Sequence, residues 1–552
     1  MKSRKTLVRP TLFFILQTLS TKTRGFSSSS YPSHHSRTLL SPPLRLARNR
    51  SESQQERVTD YTRIPAVESI KLYFSSPSIQ KHVLKSSNRR HVSYANAADF
   101  CQISVPSVPV QWRAQANLVV APASTWSRAM GCTLGQYQRR HRNAPSTLDG
   151  ETHHPSITRA IDVITAATRT VRTPGYSEET GEGLLRYVSC QVESASGKLC
   201  LSLVMNAEKL KQCQPQLSYL VKELKRNGNA KLWHSIWVHC NDLEGGAAMF
   251  AQDTSRWHPV EGPPYVREQI PGSDPEKREG LLYFGPSCLR YRANLEGFGA
   301  IAKEVREAIP SGSKVCQLYA GVGFLGLSTL LHHGKQPDGG LAWLRCSDES
   351  PEYARCFDRA VSSMDMLITG RTPRKFQKNR RTGRNNFRRG RNKGRSSGGE
   401  ISMKDLMESM MSGDDRGNAN RGQEDSSERV TYMQANAATA VFDGQALGAD
   451  VLIVEPPRRG LDRAVLQQLC LSPSLKQPYA ENANALSHLP GHTTNWTNDV
   501  RTLIYVTMFG DALAKDLDSL FTSPSGWKAA SATGHVLFPG TNHVEAVVVL
   551  RR

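Results

Sequence analysis

Several things are missing from this 552-residue chain. No run approaches the roughly twenty apolar residues that a membrane-spanning helix needs; the longest early one, Thr11 to Leu16, is far too short. The eleven cysteines include no C-x-x-C pair and no Cys/His metal spacing. Neither a zinc site nor a disulfide framework is therefore indicated, and a reducing interior compartment fits them best. Acidic residues are absent from residues 1–50, which hold ten Lys or Arg, and from residues 371–395, which hold twelve. Those two segments account for the whole formal charge of +22. What remains is balanced, so the basic total belongs to two tails and not to a charged folded surface.

The first tail, 1–50, is rich in Arg and Ser and includes TRGFSSSS at Thr23 to Ser30. That composition is expected of an organelle-targeting presequence, mitochondrial by the Arg before an aromatic and serines, with a plastid address as the alternative. Sparse structure is expected over 51–97. A smaller α/β domain is expected over 98–284, built from a strand in Val108 to Ala121, a hairpin in Gly183 to Asn206, a helix in Gln214 to Lys225 and an apolar stretch at Leu232 to Cys240. The second tail lies in a low-complexity stretch, 366–429, expected to be a disordered insertion because it has too little apolar surface to offset chain entropy.

Around this insertion, 285–552 reads as an open α/β sheet. Lys314 to Leu327, KVCQLYAGVGFLGL, is a strand, a glycine turn and a helix start. Gly321, Gly323 and Gly326 suit a turn where backbone approaches a ligand closely. Asp348 ends the next apolar run at the distance of a carboxylate that accepts hydrogen bonds from a ribose diol. The loop alone does not separate an S-adenosylmethionine site, which it favours, from a dinucleotide site or a tight turn with no ligand, since both sites lay a nucleoside across strand carboxyl ends. Val451 to Val454 is a buried strand that delivers EPPRRGLD, Glu455 to Asp462. A further strand, Thr502 to Val506, is followed by a terminal hairpin containing FPGTNHVE, Phe538 to Glu545.

These blocks, in this order, resemble the RNA uracil-C5 methyltransferase family, most closely its plant organellar branch, over roughly Val108 to Arg552. The resemblance implies a Rossmann-like methyltransferase sheet in the carboxyl-terminal half, S-adenosylmethionine as methyl donor and uridine in tRNA or rRNA as substrate, with no membrane partner. It places Arg292, Tyr319, Gly321, Gly323, Asp348 and Glu455 at the donor and makes Glu545 the base that removes the C5 proton. In the family a cysteine thiolate first adds to C6 of the base, because C5 is otherwise too weak a nucleophile.

The chain departs from that pattern at decisive positions. Met508 stands where the cysteine is expected, and a thioether has no proton to lose. Arg292 replaces a glutamine, Gln317 and Asn436 replace acids, and Glu455 replaces an aspartate. The cysteines that hold an iron–sulfur cluster in some relatives are missing, so no metal is expected. The alternative implied by these changes is a catalytically degenerate RNA-binding protein on the same scaffold.

Overall fold

The computed structural model describes residues 64–84, 100–105, 110–123, 131–138, 141–146, 151–243, 249–250, 253–273, 280–288, 294–334, 340–364, 429–473, 495–539 and 541–552. The expected presequence, the insertion up to residue 428 and Arg292 lie outside them.

Residues 51–97, expected to be sparse in structure, contain helix α1 (Pro65–Ser75). Three of its apolar residues are spaced for a helix: Val67, Ile70 and Phe74 fall on one face and are fully buried, while Leu72 is exposed. Pro65 opens the helix and Ser76, extended before Pro77, closes it. Next comes β1 (Cys101–Ser104), which belongs to the carboxyl-terminal sheet and not to the domain expected to start at residue 98.

The smaller domain follows. Strands β2 (Gln115–Pro122), β3 (Cys132–Gln138), β4 (His141–Ser146), β5 (Leu185–Val192), β6 (Leu199–Met205), β7 (Trp233–Cys240) and β8 (Trp257–Glu261) form one sheet in the order 4-3-2-5-6-7-8. The expected hairpin is β5–β6, and only β6 and β7 pair in parallel. Helices α2 (Pro155–Thr170) and α3 (Gln216–Leu224) bury Ile157, Ile164, Leu217 and Leu220 in a common core with this sheet. A two-stranded ribbon, β9 (Val266–Gln269) and β10 (Leu281–Phe284), leads into α4 (Leu295–Glu307).

The second sheet contains β1, β11 (Lys314–Leu318), β12 (Trp343–Asp348), β13 (Val430–Gln434), β14 (Val451–Val454), β15 (Thr502–Met508), β16 (Lys528–His535) and β17 (Glu545–Arg551). Its order is 1-16-17-15-14-11-12-13. Strands β13, β12, β11, β14 and β15 run parallel, and β17 is inserted antiparallel between β15 and β16. The strand order and parallel pairing are those of a Rossmann-like open sheet. Helices α5 (Phe324–Gly334), α6 (Pro351–Ser362), α7 (Ala437–Phe442), α8 (Arg463–Cys470) and α9 (Asp511–Thr522) complete it.

Alternation fixes which helix covers which face. Along β14 and β15, Ile453, Ile504 and Val506 join α4, α5 and α6 in one core, while Leu452, Val454, Leu503 and Tyr505 join α1, α7, α8 and α9 in the other. With both faces covered, these strands read as continuous apolar runs. Burying each such side chain contributes about 2 kcal/mol.

Candidate active site

Strand order reverses between β11 and β14, and the crevice at the carboxyl ends of such strands is where open α/β sheets bind ligands. The expected functional segments converge on this edge: the glycine loop after β11, Asp348 ending β12, Glu455 after β14, Met508 ending β15 and Glu545 beginning β17.

In the glycine loop Tyr319, Gly321 and Gly323 all adopt left-handed backbone, with φ of 55°, 55° and 79°. For a tyrosine this costs about 1–2 kcal/mol, and its hydroxyl supplies compensation. The hydroxyl accepts from the Asp462 amide at 3.0 Å and donates to the Asp462 carboxylate at 3.2 Å. Tyr319 thus ties the glycine loop to the PPRRGLD block. The two glycines differ in purpose. A Cβ at Gly321 would meet nothing within 4 Å, so that residue faces open space; at Gly323 it would strike the Phe357 ring at 2.5 Å.

Asp348 closes the loop from beside. Its carboxylate accepts from the Gly321 amide at 3.0 Å and from the Ser350 amide at 3.2 Å. Burial raises its carboxyl pKa, and the two amides oppose that rise. Beyond the loop, the Tyr432 hydroxyl donates to the Gly321 carbonyl at 2.6 Å. Three strands therefore fix the peptide planes around Gly321.

Gln317 is fully buried one residue before the end of β11. Its Nε2 donates to Glu455 Oε1 at 2.6 Å, and its Oε1 accepts from the Gly326 amide at 2.8 Å. Gln317 and Glu455 are thus complementary, an amide donor facing a carboxylate. Two acids at this distance would repel, whereas the amide supplies a donor. Sequence reading noted both substitutions but missed that they touch.

At the other end of the crevice Met508 and Glu545 are cross-strand partners in the β15–β17 ladder, and Glu545 also faces His535 across β16–β17. Met508 and Glu545 are both partly exposed. His535 Nε2 lies 2.8 Å from Glu304 Oε2 on α4, a link that a sequence separation of 231 residues hides. Thr507 Oγ1 donates to the Pro456 carbonyl at 3.2 Å, which joins β15 to the PPRRG turn.

The remaining positions have local roles. Asn436 caps α7, its Oδ1 accepting from the Thr439 amide at 2.9 Å. Asn294 caps α4 and donates to the Leu537 carbonyl at 2.8 Å. Cys470 bonds the Ser519 carbonyl on α9, and burial pushes the Cys101 and Cys316 thiols up to about 12. None of these three has the character of a thiolate nucleophile.

No protein-family model matches the chain. An uncharacterised RNA methyltransferase of Protochlamydia amoebophila is 25% identical over 442 residues, covering 80% of this chain and 86% of that protein. By sequence, the chain resembles an RNA methyltransferase. The tRNA (uracil-54, C5)-methyltransferase of Pyrococcus abyssi, solved with S-adenosyl-L-homocysteine, is 13% identical with a TM-score of 0.49, over 82% of this chain and 78% of that one. A SAM-dependent methyltransferase from Agrobacterium tumefaciens is 8% identical with a TM-score of 0.30, over 66% and 87%.

Proposed function

We propose that this chain is an S-adenosylmethionine-dependent RNA methyltransferase of the uracil-C5 type, acting on uridine in tRNA or rRNA, with Met508 at the nucleophile position. The observation that carries this reading is the cradle at Gly321. Backbone there is held by Asp348 and Tyr432, while the space its missing side chain would occupy is open. The residues present fit the donor. Asp348 would accept from ribose hydroxyls through lone pairs its two amide donors leave, the glycine backbone would lie against the nucleoside, and Glu455 would sit beside the sulfonium. When bound, the donor supplies an electrophilic methyl group.

Opposite it, Glu545 would take the C5 proton of the target base. Met508 would give that base apolar contact but no anion. RNA as the substrate is supported by the resemblance of the four sequence blocks and by the likeness to the Protochlamydia protein. The acid-free segment 1–50 supports a mitochondrial address, which a fluorescent fusion of that segment tests; plastid import would overturn it.

Met508 itself favours a second reading, an RNA-binding protein that does not turn over. Calorimetric titration with S-adenosylmethionine separates the two. Saturable binding, weakened about tenfold in Asp348→Asn, is expected for the enzyme. Absence of binding to the wild-type chain would leave the scaffold reading alone.

A further inference from the structure

Beside the glycine loop, two cysteines far apart in sequence meet. Cys288 ends the turn that follows β10, and Cys356 lies in the middle of α6. Their sulfurs are 3.7 Å apart, both residues are at most 2% exposed, and the Glu352 carboxylate brings a third ligand atom within 4.8 Å of both. Glu352 and Cys356 are one helical turn apart, so they present their ligand atoms on the same face of α6.

We propose that Cys288, Cys356 and Glu352 bind a thiophilic divalent cation, zinc by the nature of the ligands. Two thiolates each about 2.3 Å from a tetrahedral zinc have sulfurs about 3.8 Å apart. The observed sulfur separation already matches that edge. Two sulfurs and one carboxylate oxygen make a borderline-soft donor set of the kind zinc accepts, with one tetrahedral position left for water.

The surroundings supply the rest of a built site. Arg355 lies 3.3 Å from Glu352 Oε2, which orients the carboxylate and offsets the negative charge of three anionic ligands around one dication. Glu352 Oε1 is pressed over Gly285, where a Cβ would come within 2.3 Å of it. Glycine at 285 is thus what admits the carboxylate to the turn carrying Cys288. The Cys288 amide closes that turn on the Gly285 carbonyl at 3.0 Å.

Such an ion would fasten the turn that ends at Cys288 to the helix that follows Asp348. Phe357, next to Cys356, packs on Tyr432 with ring centroids 4.8 Å apart, and Tyr432 holds the Gly321 carbonyl. Two packed residues, Phe357 and Tyr432, therefore separate the metal from the glycine loop, so the ion acts through packing and not on a substrate. Spacing along the chain concealed this group, because Cys288 and Cys356 are 68 residues apart.

Titration of the reduced, chelator-treated full chain with cobalt(II) tests the site, since thiolate-to-cobalt charge transfer reports sulfur ligation directly. About one equivalent is expected to give this band with tetrahedral ligand-field absorption, and zinc to displace it. Cys288→Ser and Cys356→Ser should abolish the band, and Glu352→Gln should keep it with affinity lowered about tenfold. Near-ultraviolet circular dichroism confirms that each variant is folded. No charge-transfer band in the wild-type chain would overturn the proposal, as would a band that survives the double serine variant. A Cys288–Cys356 disulfide forming in place of metal uptake would overturn it too.

Discussion

Met508 and Glu545 stand directly opposite one another where β15 ends and β17 begins, so both side chains project from the same face of the sheet. The acid that the family resemblance makes a base is thereby held beside Met508, the residue at the position which the same resemblance assigns to a nucleophile.

Met508→Cys is accordingly expected to gain what the wild type lacks. Incubated with donor and 5-fluorouridine-containing RNA, the variant should give a protein–RNA adduct that survives a denaturing gel, and the wild-type chain should give none. Adding Glu545→Gln should slow turnover on ordinary uridine by about 10²–10⁴-fold while leaving the adduct. A Met508→Cys chain that binds RNA and donor yet never forms an adduct would mean that the strand end does not face the base.

The Gln317–Glu455 contact predicts a steep penalty for restoring an acid. Gln317→Glu places a buried carboxylate against the half-buried Glu455, whose Oε1 lies 2.6 Å from the present amide, and should destabilise the chain by about 3 kcal/mol or more near neutral pH. Glu455→Gln in the same chain should recover most of this. Urea unfolding of the two singles and the double measures the coupling, and additive effects would refute direct contact.

The two loop glycines should respond differently to alanine. Gly321→Ala meets no neighbour, so its stability cost is the left-handed backbone alone, about 1–2 kcal/mol, while donor binding suffers from the filled space. Gly323→Ala carries the same backbone cost and also strikes Phe357, which adds about 1–3 kcal/mol. Melting temperature against donor affinity checks the split. Equal losses of both in the two variants would contradict it.

Glu268 predicts a pH dependence of stability. Burial pushes its carboxyl up to about 7, against opposing hydrogen bonds from Ser194. Its Oε1 accepts from the Ser194 amide at 3.1 Å, and its Oε2 has no partner among the described residues. An unfolded glutamate titrates near 4.3, so the folded chain holds this proton more tightly than the unfolded one. The group's stabilisation is complete below about pH 4.3 and is lost as pH rises through about 7, by about 4 kcal/mol at most. Glu268→Gln should flatten this part of the profile. Parallel profiles for variant and wild type would assign the slope elsewhere.

Much of the carboxyl-terminal sheet was legible because its strands are buried on both faces and so appear as apolar runs, Val451–Val454 being the clearest. The chemistry-bearing turns followed from strand ends. Contacts between distant segments were not legible. Nothing local in Gln317 says that its amide meets Glu455, and nothing in Cys288 points to Cys356. Helix α1 was missed for a different reason. Its buried face is only Val67, Ile70 and Phe74, a short helical repeat blurred by the exposed Leu72 beside it.

The position of β1 carries one more lesson. This strand comes from upstream of the smaller domain yet pairs in parallel with β16, and the α1 side chains Ile70 and Phe74 lie in the same core. The smaller domain is therefore a guest spliced into its host, not a module joined ahead of it. Cutting at residue 285 to isolate the host would strip a border strand and its helix from it. The bared β16 would be an adhesive seam, open to pairing with other copies.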